Sequence, residues 1–268
     1  MMTNNDRFLV TQEYRKFAEF CDMCKEYSYI GLCYGTPGVG KTLSARYYTN
    51  WDAIETILPP EHLVNPLPID EIDNCDSVFY TAPVSPSAVR IEKEIKNMWV
   101  GLNWLIGDIL SKKRKKGSWH KQVNYTKLII IDEADRLKPL ALEQVRNIHD
   151  SSKISIILIG MPGFEKKISR FPQLYSRVGF VHNFQPVSSE EVENVIFRKM
   201  QELKIAYLPG NKTTQEACTE IIRITKCNFR LIQRLLTQID RVMKVNDITN
   251  LEKDIVEVAK ESLIVGTL

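Results

Sequence analysis

The chain has 268 residues and a formal net charge of +3, a length that suits one or two domains at roughly 150 residues each. Hydrophobic residues at 44% and charged residues at 26% are ordinary for a globule and exclude a disordered or collagen-like chain. No apolar run reaches the roughly 18 residues of a membrane span, and the opening Met-Met-Thr-Asn-Asn-Asp lacks the charged-then-apolar order of a signal peptide. A soluble, cytoplasmic protein with no membrane partner is therefore expected.

Along the chain, residues 10–27 carry Phe17, Phe20, Cys21 and Cys24 at helical spacing. Cys21 and Cys24 form a Cys-x-x-Cys, but no second pair stands at zinc spacing, so they read as packing thiols. Residues 28–34 read as a short buried strand entering a glycine-rich turn, and residues 42–50 as a helix. The stretch 51–76 holds Asp52, Glu55, Glu61, Asp70, Glu71, Asp73 and Asp76 with no Lys or Arg, and its four prolines forbid one regular element. Residues 77–81 look strand-like, and residues 86–111 place Ile91, Ile95, Met98, Leu102, Leu105 and Ile109 at helical spacing.

A basic loop follows at 112–121, where Lys112, Lys113, Arg114, Lys115, Lys116 and Lys121 stand together. Such a localised run suits a polyanionic partner. Residues 128–132 form a continuous apolar run ending in acids, as a central parallel strand does. A helix over 140–150, a buried strand over 154–160 and a weaker strand over 178–184 complete an alternation that implies a parallel sheet covered on both faces. After Pro186 the pattern turns helical, opening on a capping box of Ser188 and Glu191. Further amphipathic stretches span 213–225, 230–245 and 251–263. The expected organisation is an α/β domain at 1–186, with the acidic insert at 51–76, and a small helical domain at 187–268.

Two motifs carry the chemistry. Gly35-Thr36-Pro37-Gly38-Val39-Gly40-Lys41-Thr42 matches a phosphate-binding loop at every position and lies between a strand and a helix. Its backbone N–H groups would curl round phosphates at a helix N-terminus. Lys41 would neutralise the β- and γ-phosphates and the Thr42 hydroxyl would bind magnesium. The second motif is Leu128-Ile129-Ile130-Ile131-Asp132-Glu133, about 90 residues on. It puts Asp132 at the carboxyl end of a buried strand, where ligands sit in open parallel sheets. Asp132 would hold Mg2+ and Glu133 would polarise the attacking water. Asp132-Glu133-Ala134-Asp135 also spells a helicase signature, but no second α/β half and no Ser-Ala-Thr motif follows, so that reading is rejected.

Together these residues resemble a AAA+ ATPase, a P-loop three-layer parallel sheet domain followed by a small helical lid. The resemblance implies ATP hydrolysis with Mg2+. It places sensor 1 at the end of the 154–160 strand, where Met161 departs from the usual polar residue. It places an arginine finger at Arg177, with Arg170 in reserve, acting on the neighbouring subunit's nucleotide. Lys226-Cys227-Asn228-Phe229-Arg230-Leu231 resembles sensor 2, with Cys227 where glycine is usual; Arg230 would touch the γ-phosphate, and Arg234 is open to being a simple surface charge.

Within that family the run from Leu128 to Pro139 and Asn228-Phe229-Arg230-Leu231-Ile232 resemble the TnsC/TniB/MuB transposition ATPases. That resemblance implies self-assembly into rings or filaments on duplex DNA, without sequence preference, and recruitment of a transposase alongside a target-selection protein. The 112–121 cations would supply the phosphate contacts. The alternative is a AAA+ loader, initiator or ExeA-like switch acting on another protein.

Overall fold

The computed structural model describes residues 8–55, 57–58, 75–85, 87–114, 124–203, 205 and 211–263, with side chains left undescribed at 111–114. Two compact units emerge. The first is built on Tyr14–Thr36 and Lys41–Phe184; the second gathers Leu9–Glu13, Pro37–Gly40 and Gln185–Leu268.

In the first unit α1 (Gln12–Tyr27), β1 (Ile30–Tyr34), α2 (Lys41–Tyr48) and the short α3 (Trp51–Ile54) lead to β2 (Ser77–Thr81) and the long α4 (Ala88–Arg114). Then come β3 (Leu128–Asp132), a 3-10 turn (Ala134–Arg136), α5 (Pro139–Ser152), β4 (Ser155–Gly160), α6 (Phe164–Ile168), α7 (Pro172–Tyr175) and β5 (Val178–Asn183). The five strands form one parallel sheet in the order β2-β3-β4-β1-β5, the α/β fold that the alternation of strands and helices implies. Every residue of β3 and β4 is buried, which explains their unbroken aliphatic runs, since parallel strands covered on both faces need apolar side chains on both. The edge strand β5 alternates half-buried and exposed residues instead, so its sequence signal is weaker.

Helix α1 lies tight on β1 because Gly31 has no side chain: a Cβ there would meet Cys24 Sγ and the Phe20 ring at 2.6 Å. Cys21 and Cys24 are buried free thiols, and burial pushes the Cys24 thiol up to about 12, so both act as packing groups. Their thiolates are absent near neutral pH.

The second unit carries four longer helices: α8 (Ser189–Leu203), α9 (Lys212–Thr225), α10 (Phe229–Val245) and α11 (Lys253–Glu261). Val192, Ile196, Ile221, Leu235, Ile239 and Val256 are among the side chains of its own apolar core. The expected Ser188–Glu191 capping box forms: the Glu191 N–H donates to Ser188 Oγ at 3.3 Å and the Ser188 N–H to Glu191 Oε2 at 3.4 Å. No helix among the described residues is long and apolar enough to cross a membrane.

Candidate active site

The phosphate-loop sequence leaves β1 at the carboxyl edge of the sheet. The Tyr34 carbonyl accepts from the Phe184 N–H at 2.7 Å, fixing where the loop departs. Gly38 (φ +81°) and Gly40 (φ +111°) take left-handed conformations that side-chain-bearing residues adopt only at a cost. Lys41 then opens α2 and folds back, its Nζ donating to the carbonyls of Gly35 at 2.5 Å and Thr36 at 2.9 Å. Burial lowers the Lys41 pKa, with Cys33, Asp132, Glu133 and Asp135 opposing that shift.

Asp132 ends β3, two strands away from β1, and is 4% exposed. Both of its carboxylate oxygens are engaged: Oδ2 accepts from Thr42 Oγ1 at 2.6 Å and Oδ1 from the Glu133 N–H at 2.9 Å. Thr42 and Asp132, the residues singled out for magnesium, thus meet directly. One hydroxyl and one carboxylate, both hard oxygen donors, fit Mg2+, which keeps most of its shell for water and substrate phosphates. No group of three or more His, Cys, Asp or Glu able to hold a metal occurs among the described residues, so the pair would depend on phosphate oxygens to complete the shell.

Glu133 sits at φ 55°, a left-handed conformation that costs a non-glycine residue about 1 kcal/mol. Its carboxylate pairs with Arg136 Nη2 at 3.3 Å, while Arg136 Nη1 donates to the Ala82 carbonyl at 3.0 Å. The Ala82 N–H in turn donates to the Asp132 carbonyl at 2.9 Å. Arg136 therefore forks between the ends of β2 and β3 and holds the candidate base to one side. Sequence reasoning missed it; an Arg three residues after Glu133 in a turn was the only available signal.

Among the remaining candidates, Met161 follows β4 and is 37% exposed, with no group able to donate a hydrogen bond. Ser155 is committed elsewhere, its hydroxyl donating to the Cys24 carbonyl at 2.7 Å. Arg177 binds Asp150 through Nε at 2.6 Å, and its Nη1 also reaches the Gln173 carbonyl. The hydrogen bond from Arg177 Nε holds the Asp150 carboxyl below its ordinary range. Arg170 is exposed. The side chains of Lys112, Lys113 and Arg114, and all of Lys115, Lys116 and Lys121, lie outside the described residues, as does most of the acidic insert.

The loop apex, Pro37–Gly40, belongs to the second unit, and there it meets the start of α10. Asn228 is the N-cap: its Oδ1 accepts from the N–H groups of Arg230 at 3.1 Å and Leu231 at 3.2 Å. Its Nδ2 donates to the Pro37 carbonyl at 2.7 Å, and the Phe229 N–H donates to the Gly38 carbonyl at 3.0 Å. Sequence reasoning named neither the cap, for which an Asn before a helix is the signal, nor its grip on the loop. Cys227, standing where the resemblance has glycine, takes φ 59°, a glycine-favouring conformation. Arg230 is exposed in the first turn of α10.

A family model described as AAA domain matches residues 24–168, which span the loop, Asp132 and Glu133. This chain belongs to the AAA domain family. A relative from Staphylococcus aureus, "Potential ATP-binding protein", is 44% identical over 99% of each chain. Among solved structures, the AAA domain protein resembles the Thermotoga maritima RuvB Holliday junction branch migration motor (TM-score 0.59, 16% identity, 97% of this chain and 72% of that one). The Aeropyrum pernix ORC1 protein in complex with DNA is similar at TM-score 0.58 and 16% identity, over 95% of this chain and 66% of that one. At such identities the likeness establishes the fold alone.

Proposed function

We propose that this AAA domain protein binds and hydrolyses ATP with Mg2+, and uses the bound nucleotide to assemble on duplex DNA, where it recruits or regulates a transposase together with a target-selection protein. Residues 1–186 act as the nucleotide-binding domain and 187–268 as its lid. The observation that carries the reading is the meeting of Thr42 and Asp132 at 2.6 Å, directly after a loop whose lysine is already drawn onto it. Backbone N–H groups of Gly35–Thr42 cradle the phosphates, and Lys41 exchanges its two loop carbonyls for the β- and γ-phosphate oxygens. Thr42 and Asp132 would hold magnesium, which would supply charge neutralisation at the transferring phosphoryl.

Glu133 orients and deprotonates the attacking water once its carboxylate leaves Arg136. Arg177, released from Asp150, stabilises charge on the neighbouring protomer's nucleotide, and Arg230 reports the terminal phosphate. The transposition assignment draws on the Leu128–Pro139 and Asn228–Ile232 sequences; the Staphylococcus aureus relative's name supports the nucleotide, and the ORC1 neighbour's DNA complex agrees with the polymer partner. The test is electron microscopy of the protein with duplex DNA, with and without a non-hydrolysable ATP analogue. Rings or filaments appearing only with nucleotide are expected. Particles that stay monomeric under every condition would refute the reading.

A further inference from the structure

Charge in the helical unit is segregated onto one helix. Helix α8 holds two cations against four acids, α9 two against two, and α11 two against three. Helix α10 alone holds four cations, Arg230, Arg234, Arg241 and Lys244, against the single acid Asp240. Its buried face is Ile232, Leu235, Leu236, Ile239 and Met243. Arg230, Arg234 and Arg241, with Thr237, fall within about 60° of one another on the opposite side at 3.6 residues per turn, and all four are exposed.

A solvated helix face ordinarily satisfies its cations with carboxylates three or four residues away. On the neighbouring helices three of the six cations do so, through Lys199–Glu202, Arg223–Glu220 and Lys253–Glu257. On α10 the positions three and four residues from Arg234 are Arg230, Leu231, Thr237 and Gln238; those from Arg241 are Thr237, Gln238, Lys244 and Val245. No carboxylate stands at any of them. Among the described residues Arg230, Arg234 and Arg241 take part in no ion pair, and only Lys244 has one, with Asp240 at 2.8 Å. The sequence has withheld partners from one row of guanidinium groups.

We infer that this face of α10 is a second nucleic-acid surface, in which Arg234, Arg241 and Lys244 contact the phosphates of a duplex. The inference rests on the DNA-binding part of the proposed function and adds a site apart from the 112–121 cations. Guanidinium forks suit phosphate oxygens, and the neutral donors Gln233 and Gln238 beside them are of the kind that join backbone contacts. From Arg234 to Lys244 the row rises about 15 Å at 1.5 Å per residue, roughly four phosphate steps along one strand at 3.4 Å each. No aromatic side chain lies on the row to insert into a lipid surface, and the salt dependence of binding reads its phosphate contacts directly.

The test is a titration of labelled duplex DNA with the full chain and a non-hydrolysable ATP analogue, over a range of salt concentrations. Three proteins are compared: wild type, Arg234→Ala with Arg241→Ala, and Arg234→Lys with Arg241→Lys. Each phosphate contact contributes about 0.9 to the log–log salt slope, so losing two flattens it by about 1.8 and weakens binding about 60-fold at 0.1 M salt. The double Lys variant keeps the slope, because a point charge still releases its counterion, whereas a merely structural role would not distinguish the pairs in this way. A double Ala variant with the wild-type slope overturns the inference and leaves the proposed function standing. Loss of nucleotide-dependent self-association without DNA, at an unchanged slope, makes the row a subunit contact and overturns it too. Wild type that fails to bind duplex removes both.

Discussion

Replacing Gly38 with alanine tests how the loop apex is held. A Cβ there would lie 2.3 Å from Asn228 Oδ1 and 2.9 Å from its Cγ and Nδ2, so the Asn228 side chain must leave. The substitution therefore has three costs. Alanine at φ +81° costs about 1–2 kcal/mol in left-handed backbone strain. The lost Nδ2 bond to the Pro37 carbonyl costs about 1 kcal/mol, and the lost N-cap of α10 about another 1 kcal/mol. Gly38→Ala should thus destabilise by about 3–4 kcal/mol and Asn228→Ala by about 2 kcal/mol. In the double variant the cap and the loop bond can be lost only once, so the total stays near 3–4 kcal/mol, giving a coupling of about 2 kcal/mol. Urea unfolding followed by circular dichroism supplies the four values of the cycle. If the two single losses simply add, Asn228 does not hold the apex and the geometry has been misread.

Three further outcomes follow from the site. Lys41→Ala should abolish measurable ATP binding in an equilibrium fluorescence titration; micromolar affinity retained by the variant would remove the loop assignment. Glu133→Gln should bind ATP as wild type does but turn over about 10²–10⁴-fold more slowly, giving persistent assemblies by light scattering; turnover at the wild-type rate would end its role as base. The Asp150 carboxyl has a depressed folded-state pKa because Arg177 binds it. Its stabilising contribution is therefore present above the unfolded value of about 3.9 and lost as pH falls through the folded value. The melting-temperature gap between wild type and Arg177→Gln should accordingly be widest near neutrality and close in strong acid. A gap that is constant with pH would mean that the pair contributes nothing.

The parts of this molecule that were legible in the sequence are those fixed by short-range rules. The aliphatic runs of β3 and β4 announce strands buried on both faces, and the Gly35–Thr42 spacing announces a loop between strand and helix. That Thr42 and Asp132 share one site followed from joining these two, since the loop leaves the carboxyl end of β1 and Asp132 ends β3; their direct hydrogen bond did not. Element ends shifted by a residue or two, as at Pro139, which the proline's fixed φ admits to the first turn of α5. The four- and five-residue helices α3, α6 and α7 are too short for helical periodicity to register. What could not be read was side-chain commitment across the fold. Arg177 finds Asp150, Arg136 forks to Glu133 and Ala82, and Asn228 reaches Pro37 over a separation of 191 residues. Each depends on which backbone a neighbouring element presents, and residue spacing carries no record of that.

The sheet order also determines what sets the gap between the two reacting tips. Strand β4 runs between β1 and β3, so the strand ends at Tyr34 and Asp132 are separated by two ladder widths, about 9.6 Å at 4.8 Å each. Thr42, at the start of α2, nevertheless meets Asp132 at 2.6 Å, and the strand between them ends in Gly160. A Cβ at Gly160 would strike the Phe164 ring at 2.6 Å. Any larger residue there must displace Phe164, which is buried at the start of α6, so the end of the central strand is disturbed while every residue that faces the nucleotide stays chemically intact.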